Sequence, residues 1–255
     1  QVQLSRLIDD EIYNLRAALA WSMGHDVQVV LRLTAPLLHW FGRRGPREEG
    51  KRLIDEVLTL PTASAHTIPR ARVLHQAGIL LFGDEDAKAQ VYEEESLILS
   101  QELGYGKGQA DALLVLGRIA EWCWQDQNAA TQYMQRSLAC YRMLNDFRGI
   151  SMALMFLTKF AISRGDFLRA QELGEDCLAN AQQAGLQFTW SLNRLGDIAY
   201  ANGDLGRARS MYEQSLEIER RSGDNDTTLD TLAGLALIAT HQDDYRAAHA
   251  FLDEI

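Results

Sequence analysis

The chain has 255 residues and a mass of 28.7 kDa, with 35 acidic against 25 basic residues and a formal charge of −10 with His neutral. That balance argues against a polyanion-binding surface, and 47% apolar with 24% charged residues describes a chain that buries a core rather than a disordered one. No apolar run approaches the roughly 18 residues of a membrane span, and Cys123, Cys140 and Cys177 fit neither a disulfide framework nor a CxxC motif, so a reducing cytoplasm is expected.

The helical pattern is under way within a few residues of Gln1 and no Met begins the chain, so a fragment of a longer protein is expected. Residues 1–60 read as opening helices and a first helical hairpin. Pro36 is expected to kink a helix near residues 27–43, because a mid-helix proline removes a backbone hydrogen bond. Arg43, Arg44, Arg47, Lys51 and Arg52 form the one basic cluster. Glu48, Glu49 and Asp55 intervene or follow, which favours a solvated hairpin or a contact to neighbouring domains over nucleic acid. All four prolines, Pro36, Pro46, Pro61 and Pro69, precede Arg70, and beyond it long helices can run uninterrupted. There the apolar residues recur three and four apart, as in Leu192-Leu195-Ile198-Ala199 and Leu232-Leu235-Ile238-Ala239, and no period-2 segment suggests a strand.

Residues 68–255 repeat themselves with a period of about 40. A small residue recurs as Gly50, Ala89, Ala130, Ala170, Ala208 and Ala248, at spacings of 39, 41, 40, 38 and 40. Seven residues on stand Val57, Ser96, Ser137, Cys177 and Ser215, each followed directly by leucine. Small side chains at both positions suit helices crossing at close range. Gly104, Asn145, Gly185 and Gly223 keep the same beat and suit left-handed helix caps. A second break, Gly45-Pro46, Asp84-Glu85, Gln125-Asp126, Gly165-Asp166, Gly203-Asp204 or Asp243-Asp244, precedes each small residue. Each unit is therefore helix, turn, helix, turn. No linker divides the chain, and one continuous body over residues 1–255 is expected.

The spacing of twelve from Gly196 to Ala208 and from Ala236 to Ala248, with Leu195-Gly196, Tyr212 and Ser215, resembles the tetratricopeptide repeat. The longer unit and the turns Leu103 to Gly108 and Leu144 to Gly149 look like the repeats that follow the nucleotide-binding and winged-helix segments of bacterial signal-transduction ATPases, such as relatives of the maltose-regulon activator. Asp10-Glu11-x-x-Asn14-Leu15-Arg16-Ala17-Ala18-Leu19-x-Trp21 and Leu38-His39-Trp40-Phe41-x-x-Arg44-Gly45 are similar to the opening of that repeat region. The resemblance implies an all-α fold, a right-handed superhelical solenoid of stacked antiparallel hairpins with about 12–13 helices.

Little in the chain suggests chemistry. No GxxxxGK[ST] loop occurs, and Gly104-Tyr105-Gly106-Lys107-Gly108 is in phase with Asn145 to Gly149, so it reads as a repeat turn. The six histidines form no metal-ligand spacing. Cys177, at the small-residue position, is expected to be a packing filler rather than a catalytic thiol. Glu93-Glu94-Glu95 and Asp84-Glu85-Asp86 read as solvated helix faces. No active site, metal or cofactor is expected, and the chain is read as non-enzymatic.

Carried over from the family resemblance, the groove-facing positions of the first helices give a list of binding candidates on the concave face. These are Arg72 and His75 in the second hairpin and Asp111, Arg118, Glu121 and Trp122 in the third. Met152, Met155 and Lys159 follow in the fourth, Trp190, Asn193, Asp197 and Tyr200 in the fifth, and Asp230 and His241 in the last. A one-residue insertion in the third hairpin leaves open whether Trp122 or Trp124 faces the groove, and Trp21 and Trp40 are expected to pack internally. Two functions stay in view. One is a sensor or interaction arm of a signal-transduction ATPase, binding an inducer or partner segment and contacting the nucleotide-binding and winged-helix domains of the same chain. The other is a free-standing scaffold for an extended or helical peptide. An uncovered last helix also allows self-association of the isolated fragment.

Overall fold

The computed structural model describes residues 2–60, 64–186, 188–222 and 228–255, with side chains from Glu11 onward. Among the described residues there are thirteen helices and no strand. They are α1 (Val2–Ser22), α2 (Val27–Arg43), α3 (Arg47–Leu58), α4 (Ile68–Leu81), α5 (Asp86–Glu102), α6 (Gly106–Trp122), α7 (Gln127–Leu144), α8 (Phe147–Ser163), α9 (Phe167–Gln183), α10 (Thr189–Ala201), α11 (Leu205–Ser222), α12 (Thr228–His241) and α13 (Tyr245–Asp253). After α1 they follow one another as six hairpins. Pro36 lies inside α2, which runs on to Arg43. Gly223, Pro61 and the side chain of Asp10 lie outside the described residues.

The turns follow from a repeated dipeptide. Gln125, Gly165, Gly203 and Asp243 take positive φ, at 52°, 73°, 78° and 59°, ending the first helix of a hairpin in the left-handed region that Gly tolerates best. The aspartate that follows then caps the next helix: Asp126, Asp166, Asp204 and Asp244 each accept from backbone N–H groups of the first turn. Between units, Gly104, Asn145 and Gly185 are left-handed as their phase requires.

The phased small residues lie where helices meet. Ala89, Ala130, Ala170 and Ala208 are fully buried, as are Val57, Ser96, Ser137, Cys177 and Ser215 seven residues on. The hydroxyls there are not merely small: Ser96 donates to the Ala71 carbonyl at 2.9 Å and Ser137 to that of Ala110 at 2.8 Å. Cys177 Sγ reaches the Ser151 carbonyl at 3.2 Å. A side chain four residues beyond the phased alanine fills a notch opposite. Met134 occupies the space a Cβ on Gly117 would take, Tyr212 that of Gly196, and Glu93 that of Gly78.

By its contacts the chain divides into two compact units, Gln1–Cys140 and Tyr141–Ile255. The core of the first gathers Val30, Leu31, Leu37, Leu38, Ile54 and Leu80 with their neighbours. The second holds a core around Tyr212, Leu232, Leu235 and Ile238. Arg47 and Lys51, from the basic cluster, pair with Asp84 in the turn after α4 and hold its carboxyl below the usual range, so the cluster is a solvated hairpin laced by ion pairs. Trp40 packs on the first core, whereas Trp21 does not pack inward: it is 65% exposed and stacks on His25 at 4.4 Å.

Candidate functional site

In the first unit α2, α4 and α6 enclose a cleft of about 410 Å³. Three predicted residues, Arg72, His75 and Asp111, line it. Its floor is made of small residues, among them Ala35, Pro36, Ala71 and Gly108. His39, Gln76, Tyr105 and Lys107 complete the polar rim, and none of these four is among the binding candidates of the groove-facing positions. Lys107 pairs with Asp111 at 2.9 Å. Arg72 and His75 stand one turn apart on α4, on one face.

Beneath His75 lies the most unusual group of this unit. Glu93 is fully buried, not part of a solvated face as the acidic run suggested, and its Oε2 is 3.0 Å from His75 Nδ1. Gly78 makes room for it: a Cβ there would meet the Glu93 carboxyl at 2.5 Å. The run was misleading because Glu93 is the fourth residue after Ala89, the same position as Met134 after Ala130 and Tyr212 after Ala208. Phase, not local charge, decides which of three consecutive glutamates turns inward. Burial pushes the Glu93 carboxyl up to about 7, against the pull of His75. Burial alone would lower His75, but the charge and hydrogen bond of Glu93 outweigh it and leave the ring above its ordinary value.

The other third-hairpin candidates lie apart from the cleft lining. Arg118 stacks its guanidinium over Phe82 at 4.7 Å, and Glu121 is half-buried. Trp122 is 71% exposed, while Trp124 sends its indole N–H to Gln90 Oε1 on α5 at 2.8 Å.

In the second unit the candidates sort differently. Met152 and Met155 are half-buried on α8 and Lys159 is exposed. Asn193 is buried and bonds Thr231 at 2.9 Å, so it braces α10 against α12 rather than facing a ligand. Asp197 accepts from the Tyr212 hydroxyl at 2.5 Å and pairs with Arg194 at 3.0 Å. Burial raises the Tyr212 phenol, and Asp197 raises it further. Arg194, which had not been singled out, also reaches Asp230 at 3.0 Å. Tyr200 and His241 meet edge to face, their polar atoms 3.4 Å apart, and Trp190 is half-buried. The fifth and sixth hairpins thus bring together Arg194, Asp197 and Asp230 in one group, and Tyr200 and His241 in another.

No group of three or more His, Cys, Asp or Glu that could hold a metal ion occurs among the described residues, and none of their helices is long and apolar enough to cross a membrane. Cys177 is fully buried, and burial pushes its thiol up to about 11, the opposite of what a nucleophile needs.

Comparison with known proteins places this architecture. A family model described as the MalT-like TPR region matches residues 107–255. A STAND protein with a tetratricopeptide repeat sensor from Pyrococcus horikoshii is similar in structure, with a TM-score of 0.79 at 14% identity, over 99% of this chain and 39% of that one. BtubC from P. vanneervenii gives 0.69 at 18% identity, over 85% of this chain and 92% of that one. NprR in complex with its cognate peptide NprX gives 0.60 at 16% identity, over 99% and 74%. At these identities the likeness is one of fold. A search of curated protein sequences finds no match.

Proposed function

The chain belongs to the family of MalT-like TPR regions, and from that premise we propose that it is the non-enzymatic sensor arm of a cytoplasmic signal-transduction ATPase. Its ligand, an inducer or a partner segment, would bind on the first helices of the hairpins. The observation that carries this reading is the cleft on α2, α4 and α6, where Arg72, His75 and Asp111 converge above a floor of small residues. Binding there could bias an adjoining nucleotide-binding module only through different affinities for its two states.

The first test is the reading frame upstream of Gln1. A phosphate-loop ATPase followed by a winged helix supports the sensor arm; a start codon or an unrelated short leader overturns it. A second reading, a scaffold that holds a peptide on the same helices, is favoured by the likeness to NprR, whose structure contains a peptide. It predicts peptide binding by the isolated chain with no dependence on nucleotide.

A further inference from the structure

We propose that the cleft between α2, α4 and α6 takes a small organic acid, its carboxylate held between Arg72 and the His75 ring and its apolar part lying on Ala35, Pro36 and Ala71. This rests on the reading that the first helices form the ligand-binding face, and it names the chemistry of that ligand.

The first support is an unspent cation. Arg47, Arg70, Arg142, Arg194, Arg207 and Arg220 all engage carboxylates. Arg72, like Arg32, Arg43, Arg52, Arg136 and Arg246, has no ion pair or hydrogen bond among the described residues, and of these it is the one that lines this cleft, beside an acid, Asp111, already taken by Lys107. A guanidinium offers a carboxylate two parallel N–H donors, which an isolated lysine cannot.

The second support is the donor beside it. His75 gives Nδ1 to Glu93, and its Nε2 has no partner among the described residues and is not among their enclosed unsatisfied atoms, so it opens on the cleft. With one proton shared between ring and carboxylate, Nε2 carries a hydrogen wherever that proton sits. If the ring is charged both nitrogens are protonated; if Glu93 holds the proton, it donates to Nδ1 and leaves the hydrogen on Nε2. A buried glutamate at a position filled elsewhere by Met134 and Tyr212 is costly in desolvation, and orienting His75 is what it accomplishes.

The third support is room for the rest of the ligand. The floor of small residues leaves space for an apolar body beside the carboxylate, whereas Gln76 Oε1 is enclosed and closed off from the cleft, so the ligand needs no hydroxyl there.

The test is an NMR titration of the whole 255-residue chain with phenyllactate, its neutral amide, and 3-phenylpropionate, following the Arg72 Nε–H and the His75 ring. Phenyllactate should give saturable shifts at both, with about tenfold weaker binding of the amide, and 3-phenylpropionate, which keeps the carboxylate and lacks the hydroxyl, should bind about as well as phenyllactate. Arg72→Gln, at an exposed position, should weaken the acid about tenfold and leave the amide unchanged. The double change His75→Leu with Glu93→Met copies the packing of Leu114 and Met134 in the next hairpin, so it should fold and still lose the acid. Equal binding of acid and amide overturns the carboxylate while leaving the ligand-binding face in place. No saturable change on α2, α4 or α6 up to about 20 mM of any probe overturns the proposal outright, and the upstream-sequence test of the sensor arm remains independent of it. Tighter capture of a tripeptide with a free carboxyl terminus than of phenyllactate overturns the small acid in favour of a chain end.

Discussion

Ser137 donates its hydroxyl to the carbonyl of Ala110, 2.8 Å away, and so joins α7 to the helix before it through a buried hydrogen bond. Ser96 does the same to Ala71, one unit earlier. A position selected for smallness thus also carries a donor, and Val57, its counterpart in the first hairpin, offers only bulk. Ser137→Ala should lower the free energy of urea unfolding by about 1 kcal/mol, the net worth of such a bond, and Ser137→Leu by about 3 kcal/mol through overpacking. A Ser137→Leu protein as stable as the parent would show that the crossing has slack.

The His75 and Glu93 pair should be dispensable together and indispensable singly. His75→Leu alone strands a buried carboxylate and should cost about 3 kcal/mol, whereas His75→Leu with Glu93→Met should be neutral or stabilising. Unfolding of the two single variants and the double variant closes the cycle; additive effects would mean that the pair is not coupled.

The same pair sets a pH dependence. Folding raises Glu93 from 4.5 to about 7 and raises His75 above 6.5, so within that window the folded chain holds more protons than the unfolded one. Stability from the pair is therefore present at low pH and lost as pH climbs from about 4.5 through 7, by something on the order of 2 kcal/mol. Unfolding at pH 5.5 and 8 should show a drop that is smaller in the double variant. Parallel pH profiles in the two proteins would contradict it.

Two glycines should respond to alanine in opposite directions. A Cβ on Gly149 would come within 2.2 Å of the buried Tyr141 ring, so Gly149→Ala should cost about 2 kcal/mol. A Cβ on Gly206, in the first turn of α11, would meet only the Asp204 carboxylate at 3.7 Å, an ordinary contact, and Gly206→Ala should add about 0.5 kcal/mol of stability. Thermal melts of both proteins suffice to check the signs.

Much of the helical architecture was legible because stacked hairpins repeat their constraints. Ala89, Ala130, Ala170 and Ala208 mark the crossings, and Gln125, Gly165, Gly203 and Asp243 mark the turns, so each assignment is checked by its copies. The cleft was half legible. Arg72, His75 and Asp111 follow from the groove-facing positions, but His39 comes from α2, ahead of the regular repeats, Gln76 aligns with apolar Val115 in the next hairpin, and Tyr105 reads as part of a repeat turn. Glu93 could have been found by counting four from Ala89; averaging charge over a helix face hid it. Asn193 shows the converse: its position was groove-facing by analogy, yet Thr231 on the next hairpin claims it, a contact between residues 38 apart that no local pattern announces.

The left-handed residue and aspartate cap at each of the turns 125–126, 165–166, 203–204 and 243–244 have a consequence for how such a chain can change. Each of these four blocks of about forty residues carries its own punctuation, and its joint is set without help from distant sequence, unlike the turns before α3 and α5, where Pro46 and Glu85 cap without a side-chain hydrogen bond. A duplicated or excised block would arrive or leave with both of its hinges intact. The length of the array is then a free variable in evolution, whereas the chemistry of any one cleft can be altered by a few side chains in a single block.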